Sequence, residues 1–217
     1  MWVEACIFDL DGVIVDTAKY HFLAWKRLAD GMGISFTAKD NERLKGVSRM
    51  ASLEIILKIG GKNLPPDQKE ILAEQKNRWY VDYISRMSPD EILPGVITFI
   101  NSLRKEKIRT ALGSASRNTP LILERVGIKG LFDAVADGNN VSRAKPDPEV
   151  FLKAASLLGI EPGLCVVFED AVAGVEAALN AGMKCVGIGT ESVLKNAHLV
   201  VEGLHEMTLD KLKNLEK

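Results

Sequence analysis

The chain has 217 residues, 47% of them hydrophobic and 26% charged, with a formal net charge of -1; this is the composition of a soluble globular protein with one sizeable core and room for a small inserted domain. With no basic block it lacks an electrostatic footprint for nucleic acid or an anionic membrane, so neither is expected as a partner. Acids at Glu4, Asp9, Asp11 and Asp16 interrupt any secretory leader and no apolar run reaches spanning length, so the expected location is cytoplasmic.

The first predicted element is a buried strand, Ala5-Cys6-Ile7-Phe8, which ends in Asp9-Leu10-Asp11-Gly12-Val13. It is too short and too rich in Ile and Phe for a helix, and Gly12 closes it. Residues 17 to 90 contain no strand pattern. They carry helix-period segments at Tyr20 to Leu28, Ser48 to Ile59 and Pro66 to Ile84, broken at Gly31-Met32-Gly33, Gly60-Gly61 and Pro65-Pro66. From residue 92 onward helix and strand alternate. Pro94-Gly95 opens a helix through Lys105, and strands follow at Ile108 to Leu112, Phe132 to Ala136, Leu164 to Phe168 and Lys184 to Ile188. Between them lie helices after Asn118, at Pro148 to Leu158 and at Ala171 to Ala181. Such alternation builds βαβ units. The predicted class is therefore α/β, a Rossmann-like parallel-sheet core from residues 1–15 and 92–217 with a small α-helical insertion over 16–91. The first strand has no partner nearby in sequence and must join that sheet. Cys6, Cys165 and Cys185 each lie in or beside an apolar run without metal-ligand spacing, and read as core thiols. No segment reads as a strong exposed apolar patch, so a monomer is expected.

Ligands of open α/β sheets gather at the carboxyl ends of the strands. Asp9 and Asp11, one residue apart at such an end, would repel each other and resist desolvation unless a cation or a proton lay between them, and Mg²⁺ is the natural cation. An ordinary Asp/Gly turn is the plain alternative. Val166-Val167-Phe168-Glu169-Asp170 repeats the theme, an apolar strand delivering two acids. Leu112-Gly113-Ser114-Ala115-Ser116 ends another strand with small hydroxyl residues and amides suited to phosphate oxygens, or to capping a helix. Lys145, in Ala144-Lys145-Pro146-Asp147-Pro148, is held away from the helical region by the following proline and can anchor negative charge.

In this order the segments resemble the haloacid dehalogenase superfamily over nearly the whole chain, and the second acid, Asp11, points to its phosphotransferases. The resemblance implies that Asp9 attacks phosphorus to form an aspartyl-phosphate, with Asp11 as general acid and base. It implies that Ser114 and Lys145 hold the transferring phosphoryl group. Glu169 and Asp170 would complete the metal site with Asp9 and the backbone carbonyl of Asp11, Asp170 as a direct ligand and Glu169 through water.

The segments Thr17-Ala18-Lys19-Tyr20-His21-Phe22-Leu23-Ala24-Trp25 and Leu44-Lys45-Gly46-Val47-Ser48-Arg49 resemble the cap of the β-phosphoglucomutase family. This implies that Arg49 clamps the non-transferring phosphate, with close backbone approach at Gly46 and Val47 and a sugar pocket lined by Trp25 and Ser52. His21 would couple cap closure to Asp11. Thr17, Lys76, Ala115, Ser116 and Asn118 complete the implied binding set, and Arg117 stands where the related mutases usually have lysine. Plainer readings exist for four of these. Trp25 can be core packing, His21 an interhelical histidine, Arg49 a partner of Glu54 or another surface acid, and Lys76 part of a solvated face in Glu74-Gln75-Lys76-Asn77-Arg78. The implied activity interconverts β-D-glucose 1-phosphate and glucose 6-phosphate through glucose 1,6-bisphosphate. The alternatives are a Mg²⁺-dependent sugar-phosphate phosphatase on the same scaffold and a non-catalytic phosphosugar-binding module.

Overall fold

A computed structural model describes residues 3–44 and 47–215. In chain order its elements are β1 (Ala5–Phe8), α1 (Ala18–Gly31), α2 (Ala38–Glu42), α3 (Arg49–Ile59), α4 (Pro66–Ile84), α5 (Val96–Lys105), β2 (Arg109–Gly113), α6 (Thr119–Arg125) and β3 (Ala134–Ala136). Then follow α7 (Glu149–Leu158), β4 (Cys165–Glu169), α8 (Val172–Asn180), β5 (Lys184–Ile188), β6 (Leu199–Val201) and α9 (Leu209–Asn214). The six strands form one parallel sheet in the order β3-β2-β1-β4-β5-β6.

Every residue of β1 and of β4 is buried, as strands covered on both faces must be. Successive side chains of β1 enter opposite layers. Phe8 packs with Phe99, Phe132 and Phe168 on one face, its ring stacked 4.7 Å from that of Phe168. Ile7 packs with Phe151 and Val167 on the other. The register pairs Phe8 with both Leu112 and Phe168. Asp9, Gly113 and Glu169, the residues that follow, therefore reach the same edge of the sheet side by side.

The helices between Ala18 and Ile84 build a third hydrophobic cluster around Trp25, Leu28, Phe36, Leu53 and Ile56. Truncating a fully buried member such as Leu53 to Ala would cost about 2–5 kcal/mol, the lost transfer energy plus a cavity. Helix α4 spans the predicted bounds, with Pro65 as its N-cap and Pro66 in its first turn, where a proline's missing N–H is no loss. Helix α2 is absent from the sequence reading. It exists because Thr37 and Asp40 close a capping box, with the Asp40 carboxylate accepting the Thr37 N–H at 3.0 Å. Also beyond that reading are β6, which extends the sheet past β5, and α9, whose Leu212 is fully buried. Among the described residues no helix is long and apolar enough to cross a membrane.

Candidate active site

At the carboxyl edge of the sheet, Lys145 Nζ lies 2.5 Å from Asp9 Oδ1 and 2.8 Å from Glu169 Oε2, with all three side chains buried. Burial alone would push the lysine's pKa down, but the two carboxylates outweigh it and hold the ammonium above its ordinary value. Glu169 is pushed up to about 8 by burial, with Asp9 and Asp170 adding like-charge repulsion that Lys145 only partly offsets. Asp9, Glu169 and Asp170 each offer an oxygen within 4.8 Å of the others. Two carboxylates thus share one ammonium with a third, partly buried carboxyl beside them, and such an all-oxygen donor set fits a hard divalent cation such as Mg²⁺.

Asp11 stands apart from that group. Its amide N–H donates to Asp9 Oδ2 at 2.9 Å, and its own carboxylate accepts the Thr17 hydroxyl. Burial, reinforced by Asp9, pushes it up to about 6. Gly12 makes this crowding possible. Its φ is 82°, and a Cβ there would overlap the Asp170 carboxylate. Gly174, in the first turn of α8, likewise leaves room for the Glu169 carboxylate.

Lys145 is placed by the loop leading into α7. The Glu149 carboxylate accepts the N–H groups of Ser142 and Arg143 at 3.0 and 2.6 Å, and the Ser142 hydroxyl at 3.1 Å. These bonds, the Ser142 amide first, pull Glu149 down to about 2. The Lys145-Pro146 peptide is cis. After β2, the Ser116 N–H donates to Ser114 Oγ at 3.1 Å and the Asn118 N–H to Ser116 Oγ at 3.2 Å. This is a run of serine-supported turns into α6.

A cavity of about 590 Å³ separates this edge from α1, α3 and α4. Asp9, Asp11, Lys145, Glu169 and Asp170 line it from the sheet, along with Ala115, Ser116 and Asn118. His21, Trp25, Val47, Arg49, Ser52 and Lys76 line it from the helices. Ser114 and Thr17 are buried behind this wall and do not line it. Gly46 lies outside the described residues.

Lys76 is not on a solvated face. It is 2% exposed, with Nζ 3.0 Å from His21 Nδ1 and 4.6 Å from the ring centroids of both Trp25 and Tyr80. Burial, then the charge of Arg49, pushes it down to about 7. Burial and Lys76 together hold His21 well below the usual imidazole range. Trp25 is both core and wall, since it belongs to the helical cluster and faces the cavity. Arg49 pairs with Glu74, another surface acid, while Glu54 engages Lys69 at 2.7 Å. Sequence reasoning passed over Asn77, Tyr80 and Glu149. Asn77 accepts from Asn118 Nδ2 at 3.1 Å between α4 and the start of α6, and the Tyr80 ring lies tilted at 38° with its centroid 4.1 Å from that of His21. Their positions three and four residues from Glu74 and Lys76 were the available signal for the face they share.

An acid-bearing parallel sheet with a lysine between its acids and a helical cover defines a class. The chain belongs to the haloacid dehalogenase-like hydrolases, whose family profile matches residues 3–182. It is 45% identical over 212 residues to the β-phosphoglucomutase of Bacillus subtilis (strain 168), covering 97% of this chain and 94% of that protein. The crystal structure of β-phosphoglucomutase from Clostridium difficile is similar with a TM-score of 0.93 at 41% identity, covering 98% of this chain and 96% of that one. A phosphorylated carbohydrates phosphatase of Thermotoga maritima is 31% identical over 185 residues, 84% of this chain and 83% of that protein. Within the superfamily the chain falls with the β-phosphoglucomutases.

Proposed function

We propose that the protein is a Mg²⁺-dependent β-phosphoglucomutase that converts β-D-glucose 1-phosphate to glucose 6-phosphate through glucose 1,6-bisphosphate. The observation that carries this reading is a second cationic wall. Arg49 and Arg117 line the same cavity as Asp9, close enough that the charge of Arg117 disfavours that of Arg49. A site that only hydrolysed one phosphate has no use for two guanidiniums remote from its nucleophile, whereas a bisphosphate needs both ends held.

In this reading Asp9 carries the phosphoryl group. Asp11 accepts the proton of the sugar's 6-hydroxyl as that oxygen attacks the aspartyl-phosphate and releases the Asp9 carboxylate. The bisphosphate then presents its other end, Asp9 attacks the phosphorus at O1, and Asp11 returns the proton to the departing oxygen. Asp9, Glu169 and Asp170, with the Asp11 carbonyl, would hold Mg²⁺, which supplies charge neutralisation at the phosphoryl oxygens. Lys145 steadies the phosphoryl group, Ser114 supports the turn from behind by accepting the Ser116 N–H, and Arg49, Ser116, Arg117 and Asn118 hold the other phosphate. Residues 16–91 act as a cap over a core of residues 1–15 and 92–217, excluding water from the aspartyl-phosphate.

The test incubates purified protein with Mg²⁺, β-glucose 1-phosphate and catalytic glucose 1,6-bisphosphate while following glucose 6-phosphate and free phosphate together. Accumulation of glucose 6-phosphate with little phosphate supports the mutase. Stoichiometric phosphate instead favours the phosphatase reading, for which the Thermotoga maritima relative is the precedent.

A further inference from the structure

Arg49 is not idle in this structure. Its Nη1 lies 3.4 Å from Glu74 Oε2, with the two side chains 30% and 57% exposed, and both residues line the cavity. One helical turn further along α4, Asn77 takes the side-chain N–H of Asn118 at 3.1 Å. A single polar face of α4 therefore engages both an arginine and an amide of the wall assigned above to the substrate's second phosphate. The charges facing Arg49 are Glu74, which favours its ionised form, and Arg117, which opposes it. Lys76, whose own ionised form is disfavoured by Arg49, adds to the positive side.

We propose that Glu74 is an affinity-tuning counter-ion that occupies Arg49 and must yield it to the incoming phosphate. The inference rests on the reading of this wall as a phosphate seat. A one-point contact of 3.4 Å from an exposed carboxylate is weak. A phosphate offers a guanidinium shorter, two-pronged, fully charged bonds and wins the exchange. A neutral sugar cannot displace Glu74, and a phosphorylated one must overcome the repulsion of a carboxylate left beside it. Glu74 thus lowers affinity for ligands that seat a phosphate at Arg49 and leaves ligands that do not reach Arg49 untouched. It sets how tightly that phosphate is held and takes no part in the chemical step.

The experiment is a double-mutant cycle. The binding of glucose 6-phosphate to the Mg²⁺-loaded protein is measured by calorimetry for wild type, Glu74→Gln, Arg49→Ala and the double variant, and kcat and KM are measured for the first two. The expected result is binding roughly 2- to 5-fold tighter for Glu74→Gln, the range an exposed ion pair supplies. KM should fall to match with kcat within twofold, and in the Arg49→Ala background the gain should shrink to the smaller part owed to relieved repulsion. Unchanged or weaker binding by Glu74→Gln overturns the proposal. So does an equal gain in the Arg49→Ala background, which would reveal a general charge effect at the cavity mouth. A wild type that makes glucose 6-phosphate but shows no coupling overturns the role of Glu74 alone, whereas a wild type that binds no glucose 6-phosphate overturns the mutase reading with it.

Discussion

Lys145 Nζ and Asp9 Oδ1 meet at 2.5 Å in a bond that ties the first strand to a loop 136 residues later. Both side chains are almost wholly withdrawn from water, and Glu169 shares the same ammonium. Removing the ammonium leaves Asp9 buried without its counter-ion, while Glu169, already raised to about 8, stays protonated. Lys145→Ala should therefore destabilise the metal-free protein at neutral pH by about 3–5 kcal/mol, in addition to abolishing turnover. Denaturant unfolding with a chelator present checks this, and a loss below about 1 kcal/mol would mean the ammonium contributes no net stability.

Glu149 gives a pH-dependent prediction with a definite sign. Its folded-state value of about 2 lies below the ordinary 4.5, so the unfolded chain binds its proton first as pH falls. The stability it contributes is full above about pH 4.5 and is lost as the pH descends toward 2. Glu149→Gln should have a lower Tm than wild type at pH 6, and the gap should close steadily between pH 4.5 and 2. A gap independent of pH would assign the defect to packing. Because the anchored backbone belongs to Ser142 and Arg143, the variant should also lower kcat by misplacing Lys145.

Gly174 sits inside α8, where replacement by Ala ordinarily stabilises by about 1 kcal/mol through helix propensity. Here an added Cβ would overlap the Glu169 carboxyl group. Gly174→Ala is expected to reverse the usual sign, lowering Tm and weakening Mg²⁺ binding together. A rise in Tm with unaltered Mg²⁺ affinity, read by thermal melts and metal titration, would show that Glu169 moves aside freely.

Lys76 illustrates a site held at the expense of stability. Its amine is buried between two aromatic rings beside His21 and pushed down to about 7. A lysine whose folded value lies below its unfolded one carries its full penalty below pH 7, and the penalty is relieved as pH rises toward 10. Lys76→Met, close in volume and uncharged, should stabilise the fold by about 1–2 kcal/mol at pH 6, with a smaller gain at pH 9, while impairing turnover. Equal stability of the two proteins at both pH values would contradict the burial penalty.

The legible parts of the chain were those where local pattern and tertiary role coincide. Strand β5 and helix α4 fall on their predicted bounds, because one is a continuous apolar run and the other a long helix opened by a proline. Asp9, Asp11, Lys145, Glu169 and Asp170 were legible because each sits where a strand ends or a helix begins. Strand β6 was not. It has three residues, two of them half-buried at the sheet's edge, so neither length nor alternation marks it. Lys76 was misleading on its own residues, since its neighbours Glu74 and Arg78 face solvent while it points inward, and a polar run does not reveal which member turns to the interior. The partner of Arg49 lay 25 residues away on another helix, a pairing that only packing decides.

The central place of β1 bears on how the chain is made. Its residue Ala5 pairs with Arg109 on one side and Cys165 on the other, so this strand is made well before either of its neighbours. The α1, α3 and α4 cluster closes over much shorter separations and can fold while the sheet is still being synthesised. Asp9 is thus translated well before Lys145, Glu169 and Asp170, which keeps the carboxylate set unassembled until the chain has passed β4.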